Sequence, residues 1–599
     1  MMRGGLGLRR FAEADRKEIK LRDIKRKDLA FIMPHVRKHK KGIFLAFFTM
    51  MLVSSMQIIQ PVVTMILVDE CILKGNLQGI FLFSIVLMGL QGLSWLFSYF
   101  QIYTATRVSQ EIVMDVRRDV YKKILSMSMR FHSERKKGEL LSLVTSDIEA
   151  LSNAFTSGVV TLFSDVFSLA GILVMMLLID VPLTLVSFLV IPILLLVLQI
   201  MMRRIRKSFV EVRKKTAMLN AKVEENIAGI RVIQSLNVET EKNRDFSDLS
   251  QLNVRTTMKA MVSFAELFAI VSINNYIAIA LVIGVGGLRY IQNAITLGGL
   301  IAFFQYITSF IQPIRDMVML NTTFQEAFAA LLHISECMQF PVDLQETSSP
   351  VPLPSPLKGR IEFRNVAFSY GSIPFMKNLN IVIDAGERVG IVGETGAGKS
   401  TLINLLTRLY DVNEGSINVD GVDVRSISQK EFRSILSVVS QNVVIFYDTI
   451  KNNIKFGKPD AIDEEIINAA KMANAHEFIS HLPDGYETKL GEGGVGLSGG
   501  QKQLVAYARM ILARPAIAIL DEATSNIDSY TESLIQQNMR TILDKCTTII
   551  IAHRFATLKA VDRLILFKDG KIQDSGTHDA LYTRNEYYRK LFDEQYSKQ

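Results

Sequence analysis

Gly393-Glu394-Thr395-Gly396-Ala397-Gly398-Lys399-Ser400 sets glycines, a lysine and a hydroxyl at the spacing of a phosphate cradle. The glycines permit a tight turn, and backbone N–H groups of the loop and of the helix start at Thr401 face the phosphates. Lys399 reaches the β and γ phosphates, and the Ser400 hydroxyl suits Mg²⁺. Farther on, the apolar run Ala516 to Leu520 delivers Asp521 and Glu522 at its end. Asp521 is suited to hold Mg²⁺ and Glu522 to orient or deprotonate an attacking water. A strand followed by two acids is common in α/β proteins, so the pair gains its meaning from lying downstream of the phosphate loop in one domain.

These residues need a strand, a tight turn and a helix to position them. The β-branched run ending at Val392 supplies the strand, and the run from Gly393 to Leu409 opens a helix. The part of the chain before Pro341 differs in kind. A helix needs about 20 apolar residues to cross the ~30 Å hydrocarbon core. Residues Gly42 to Val68, Gly79 to Tyr103, Gly158 to Ile179, Pro182 to Met202, Phe264 to Leu288 and Ile295 to Ile311 read as six such spans. The last pair carries Glu266, Asn274 and Asn275, and its reading rests on the need for an even number of spans. Between the pairs, Arg107 to Asn153 and Arg203 to Lys259 are rich in charge, and apolar residues such as Phe209, Val212, Leu219 and Val223 recur at helical spacing. Spans four and five are therefore expected to continue as long helices outside the lipid. The three remaining connections hold only Lys74 and Arg289 as positive residues, which places them on the outer side.

Charge and composition narrow the alternatives. The 599-residue chain carries a formal charge of +9, and fourteen Lys or Arg against five Asp or Glu fall within residues 1 to 41. That excess directly before an apolar run suits the cytosolic flank of a membrane span, and no base-reading motif accompanies it, so nucleic acid is not an expected partner. Cys71, Cys337 and Cys546 are far apart and share no metal-ligand spacing, which argues against a zinc site or a disulfide framework. The basic N-terminal segment is too long and too charged for a signal peptide. Five of fourteen prolines lie between 341 and 356, the pattern of an extended, semi-rigid spacer. The expected division is a basic segment over 1–41, a membrane domain over 42–340, a linker over 341–358 and a nucleotide domain over 359–599.

The Leu497-Ser498-Gly499-Gly500-Gln501 run, lying between the phosphate loop and the Asp521-Glu522 pair, resembles the signature of ATP-binding cassette proteins. With six preceding spans the whole arrangement is similar to an exporter half-transporter of the multidrug and lipid-flippase type. The resemblance implies an all-α six-helix transmembrane domain followed by an α/β P-loop NTPase cassette domain, with ATP and Mg²⁺ as cofactors. It also implies residue roles. Tyr370 would stack on the adenine, and residues 393 to 401 would hold the phosphates. Gln441 would touch Mg²⁺ and the attacking water, joining Ser400 and Asp521 around the metal. Ser498, Gly499, Gly500 and Gln501 would cover the γ-phosphate of ATP held by a second subunit. Glu522 and His553 would be catalytic, Asp528 would lie in a subunit-contacting loop, and Glu492 matches a segment that meets cytosolic coupling helices. Those helices match Glu111 to Lys122 and Thr216 to Ile227.

The mechanism so implied is alternating access by a dimer, either of this chain or with a related half-transporter, exporting amphipathic compounds such as drugs or lipids. The expected location is the plasma or inner membrane, with the N-terminus and the ATPase domain cytosolic. The Ser-Asn-Ile-Asp form around Asp528 departs from the commoner pattern and leaves a heterodimer open. A nucleotide-gated channel or regulatory ATPase is a competing class, disfavoured by the intact Glu522 and His553; an importer or peptidase-linked exporter fits the domain order less well. Within the spans, Asp165 and Glu266 are candidates to bind a cationic substrate or protons. The plainer alternative is that both lie at wet span ends or pair with Arg or Lys.

Overall fold

The computed structural model describes residues 28, 30–341, 344, 346–347, 349–371, 373–494, 496–521, 546–551 and 561–596. Glu522, Asp528 and His553 lie outside the described residues. The chain forms two compact units, one of residues 1–125 and 137–340, the other of residues 126–136 and 341–599.

In the first unit the apolar runs become six helical segments long and apolar enough to cross a membrane: Lys40–Ile72, Leu77–Leu125, Lys137–Ile179, Val181–Ala228, Glu239–Ile291 and Leu297–Gln339. The six-helix expectation holds. Most segments outrun their apolar stretches, because the charged stretches keep an uninterrupted helical period without proline. The second span exposes a broad apolar face, Leu77, Phe81, Met88 and Trp95 among its residues, as suits a helix that meets lipid. Inside the unit, Met176, Leu183, Val282, Phe303 and Tyr306 form a core drawn from spans three to six.

Long-range polar contacts fix the helix positions. The Tyr306 hydroxyl donates to the Ile58 carbonyl at 2.7 Å, joining the sixth span to the first. Asp180 accepts from the Leu183 amide at 2.7 Å, capping the fourth span, and receives Arg289 of the fifth at 2.7 Å and 2.9 Å. Asp69 accepts from the Gly298 amide at 2.8 Å, holding the start of the sixth span. Gly171 makes the first and third spans approach closely: a Cβ there would stand 2.2 Å from Ile58 Cδ1.

Chain reversals fall at short helices, Met129–Glu134 and Ile230–Ser235. The two pieces matched to coupling helices, Glu111 to Lys122 and Thr216 to Ile227, instead lie inside the long helices Leu77–Leu125 and Val190–Ala228. The second of these long helices ends at Gly229, where helical geometry stops.

The second unit holds two sheets. β1 (Ile361–Tyr370), β2 (Ile373–Ile383), β4 (Glu414–Val419) and β5 (Val422–Asp423) form an antiparallel sheet in the order β2-β1-β4-β5. The other sheet runs β10-β9-β3-β8-β7-β6, from β3 (Arg388–Val392), β6 (Leu436–Val439), β7 (Ile517–Asp521), β8 (Thr547–Ile551), β9 (Arg563–Lys568) and β10 (Lys571–Gly576). Its strands are parallel except β10. The inner strands are continuous buried apolar runs, as parallel strands covered on both faces require. Ile361, Phe363, Ile391, Leu402, Ile519 and Phe567 pack into one core that joins both sheets to the helix Lys399–Leu406. A separate core, built on Ile454, Ile466, Val505 and Met510, carries the helices between β6 and β7. The proline-rich segment is docked rather than free: the Val351 amide donates to Ser426 O at 2.9 Å and the Leu353 amide to Glu431 at 3.1 Å.

Candidate active site

β3, β6 and β7 run parallel, so the residues that follow them emerge at one carboxyl edge of the sheet. Phosphate ligands bind at this edge in open α/β folds. Residues 393 to 398 turn directly off β3 into the helix Lys399–Leu406. Gly393 is required by space: a Cβ would sit 2.3 Å from the Phe567 carbonyl oxygen. Gly396 and Gly398 are required by conformation, with φ of +87° and +114°. The buried Lys399 ammonium donates to Gly393 O at 2.6 Å and Glu394 O at 2.9 Å, which closes the loop around it. Ser400 is exposed at the helix start and Thr401 is buried beside it.

Asp521 ends β7 at the same edge. Burial raises its carboxyl above the ordinary carboxylate range, while Lys399 acts in the opposite sense, so the two side chains share one electrostatic environment. Gln441 lies exposed two residues past β6. Glu522, which follows Asp521, and His553, which follows β8, continue from strands of this edge but lie outside the described residues, as does Asp528.

Tyr370 ends β1, its hydroxyl 3.1 Å from that of Thr401. Its ring meets Phe368, Phe375 and Tyr410 with centroids 4.8 to 5.8 Å apart. The aromatic face is thus tied to the phosphate helix through a hydroxyl contact the motif alone does not reveal.

Ser498 caps the helix Gly499–Ala513: its hydroxyl accepts from the Gln501 amide at 3.2 Å, and the Gln501 side chain accepts from the Ser498 amide at 2.9 Å. Gly499 and Gly500 open this helix, with their N–H groups at its positive end. Leu497 anchors it in the core of the inter-strand helices, whereas Ala397 of the phosphate loop belongs to the core of the sheets. The two helix starts are thus packed into the cores on opposite faces of the same sheet, to which β7 and β8 contribute alternate residues. Glu492 opens a single turn, Glu492–Gly494, just ahead of the signature.

Two supporting residues carry no motif. Asn453 is fully buried, accepts from the Phe446 amide at 2.9 Å, and donates to the Phe446 and Thr449 carbonyls at 3.0 Å. Arg509 donates to Asn453 O at 2.9 Å and to Val444 O at 3.2 Å, and lies over the Phe456 ring at 5.7 Å. Together they hold the segment after Gln441 against the signature helix. The apolar spacing of that helix conceals Arg509 as ordinary surface charge.

Comparison with known proteins decides the family. Residues 43–314 match the ABC transporter transmembrane region and residues 376–525 the ABC transporter ATPase model. The chain is 32% identical over 569 residues to the uncharacterised ABC transporter ATP-binding protein YknV of Bacillus subtilis, covering 94% of each. The chain belongs to the ABC transporter family. It is also 32% identical to an ATP-dependent lipid A-core flippase of Syntrophus aciditrophicus, over 84% of this chain and 83% of that protein. YgaD of Bacillus subtilis, provisionally assigned as a multidrug export ATP-binding/permease protein, is 32% identical over 94% of this chain and 98% of its own length. A solved bacterial Atm1-family ABC exporter with ATP bound superposes with a TM-score of 0.76 at 25% identity, over 94% of this chain and 98% of that one. This ABC exporter is a multi-pass membrane protein that binds nucleotide and couples ATP hydrolysis to transport. With one transmembrane region and one ATPase domain per chain, it is a half-transporter of a dimeric machine.

Proposed function

We propose that two copies of this chain export amphipathic compounds, of the drug or lipid class, by alternating access, with the ATPase units and the N-terminus in the cytosol of a cell whose plasma or inner membrane holds the spans. The observation that carries this reading is the meeting of the phosphate loop, Gln441 and Asp521 at one sheet edge in a chain with six membrane-length helices.

In the cycle, residues 393–401 hold the phosphates and Tyr370 stacks on the adenine. Ser400, Gln441 and Asp521 supply oxygen donors at the sheet edge, and an acid beside Lys399 suits a phosphate-bound Mg²⁺. When bound, that ion would neutralise charge on the phosphates. Glu522 orients or deprotonates the attacking water, and His553 contacts the γ-phosphate. Ser498, Gly499, Gly500 and Gln501 close on the nucleotide of the other copy, with Asp528 at the contact between copies. The short helices Met129–Glu134 and Ile230–Ser235, at the reversals of the long helices, transmit closure to the spans.

The deciding measurement is ATP turnover by the chain purified alone in lipid nanodiscs, with Glu522→Gln alongside. Cooperative turnover that the substitution abolishes is the expected result. An ATP-binding sample without turnover would sink the self-paired dimer and assign the chain to a pair with a related half-transporter.

A further inference from the structure

Buried acids in the six-helix unit are normally satisfied. Asp180, 6% exposed, caps a helix and pairs with Arg289. Asp115, 1% exposed, leaves its Oδ1 without a hydrogen bond but has the cations Lys38 and Arg118 beside it and meets His39. Glu266 pairs with Arg204 at 3.4 Å with its side chain 41% exposed, so the plainer alternative raised for it is the one observed. Asp165 is the exception. It lies mid-way along the third span at 7% exposure, and its Oδ2 has no hydrogen-bond partner.

Among the described residues no Lys, Arg or His makes an ion pair with Asp165. The sixth span, which packs against the third, carries a second acid, Asp316. Asp316 accepts from Gln312 at 3.0 Å, and neither acid makes an ion pair among the described residues. Arg315, next to Asp316 in sequence, turns its guanidinium over the Phe268 ring at 5.8 Å, and its Nε lacks a partner. Ser168 is buried one helical turn from Asp165, on the same face. Ser164 shares a hydrogen bond with Ser54 of the first span at 3.1 Å, and Phe163 packs edge-on against Phe47.

An unpaired intramembrane carboxylate is costly and calls for an occupant. Mg²⁺ and Ca²⁺ take six or more oxygen ligands, and no group of three or more His, Cys, Asp or Glu is placed to hold a metal ion among the described residues. An ammonium group needs only about three acceptors; Asp165 and Ser168 share one face of the third span, and Asp316 stands on the sixth span, which packs against it. We propose that Asp165, with Asp316, receives the protonated amine of an amphipathic substrate inside the six-helix unit. This inference rests on the exporter reading and gives its substrate a charge.

Isothermal titration of the full chain in nanodiscs, against empty nanodiscs, tests it with 4-phenylbutylamine and its neutral counterpart 4-phenylbutanol. The amine binds and the alcohol does not. Asp165→Asn weakens amine binding about tenfold or more, equivalent to ~1.4 kcal/mol, Asp316→Asn weakens it less, and Glu266→Gln leaves it unchanged. Equal binding of amine and alcohol, or unaltered amine affinity in a folded Asp165→Asn protein, overturns the proposal. Should Asp165→Asn not fold, unaltered affinity in Asp316→Asn overturns it instead. ATP turnover on the same samples separates the two ideas: a turnover-dead chain that still prefers the amine refutes the exporter reading and leaves the amine site standing.

Discussion

Asp521 and Asp165 are both carboxylates drawn out of water, in different surroundings. Asp521 ends a strand beside Lys399, at an edge where three parallel strands deliver their chemistry together. Asp165 lies within a helix without an ion pair among the described residues, on a span packed against the one that carries Asp316. In the cassette the charges that serve the site come from short contiguous runs, and the backbone itself closes the loop around Lys399. In the six-helix unit the polar contacts that tie one span to another join distant sequence: Asp69 with Gly298, Asp180 with Arg289, Ile58 with Tyr306. Local geometry makes the first region tolerant of change elsewhere and intolerant within its motif. The second depends on pairs, so the loss of one partner exposes the cost of the other.

Five expectations put this contrast at risk. Gly393→Ala forces a Cβ against Phe567 O, shifting the phosphate loop on the order of an ångström; ATP turnover should fall about a hundredfold, and near-normal turnover would undo the claim that the loop has no slack. Arg289→Ala strands the buried Asp180 and should lower stability by about 3–5 kcal/mol, read as earlier thermal unfolding in nanodiscs, with Arg289→Lys recovering part of it. Ser498→Ala removes a helix cap and should cost ~1 kcal/mol; a loss as large as that of Arg289→Ala would contradict the local character assigned to the cassette.

Acid should act mildly on the cassette. Arg388 holds the Asp562 carboxyl below its ordinary range, and Arg584 does the same for Asp574. A depressed carboxyl stabilises the fold above its unfolded pKa of about 4 and loses that contribution as pH falls through its lower folded value. Both pairs are solvent-screened, so a shallow decline in thermal stability below about pH 4 is expected rather than a sharp transition. Finally, Asp165→Asn removes an uncompensated charge and should leave thermal stability unchanged or slightly raised, the reverse of Arg289→Ala. A large loss would mean that Asp165 has a structural partner.

Legibility in the sequence follows the same division. The phosphate loop could be read because all its groups lie within one run of eight residues, and the spans because lipid demands unbroken apolar stretches. Helix ends are less visible: the amphipathic extensions keep one period up to Leu125 and Ala228, so the pieces matched to coupling helices, Glu111 to Lys122 and Thr216 to Ile227, fall inside long helices, although Gly229 marks one reversal. Glu266 and Asp165 look alike in sequence, since Arg204 approaches Glu266 only once the fourth and fifth spans pack together. The ring cluster around Tyr370 and the Asn453–Arg509 brace were hidden for a related reason, because each joins segments that meet only in the folded sheet.

Residues 126–136 pack with the unit that otherwise begins at residue 341, and this sets an order of events during synthesis. A chain emerging at roughly 5–20 residues per second presents Phe131, only 1% exposed in the finished protein, long before the residues it will be grouped with exist. For that interval the reversal after the second span is an apolar surface in want of cover, through the insertion of four further helices. The cassette, in turn, cannot be completed from its own contiguous sequence alone. Translation therefore makes the ATPase the last element to close, and it closes onto a segment that was waiting for it.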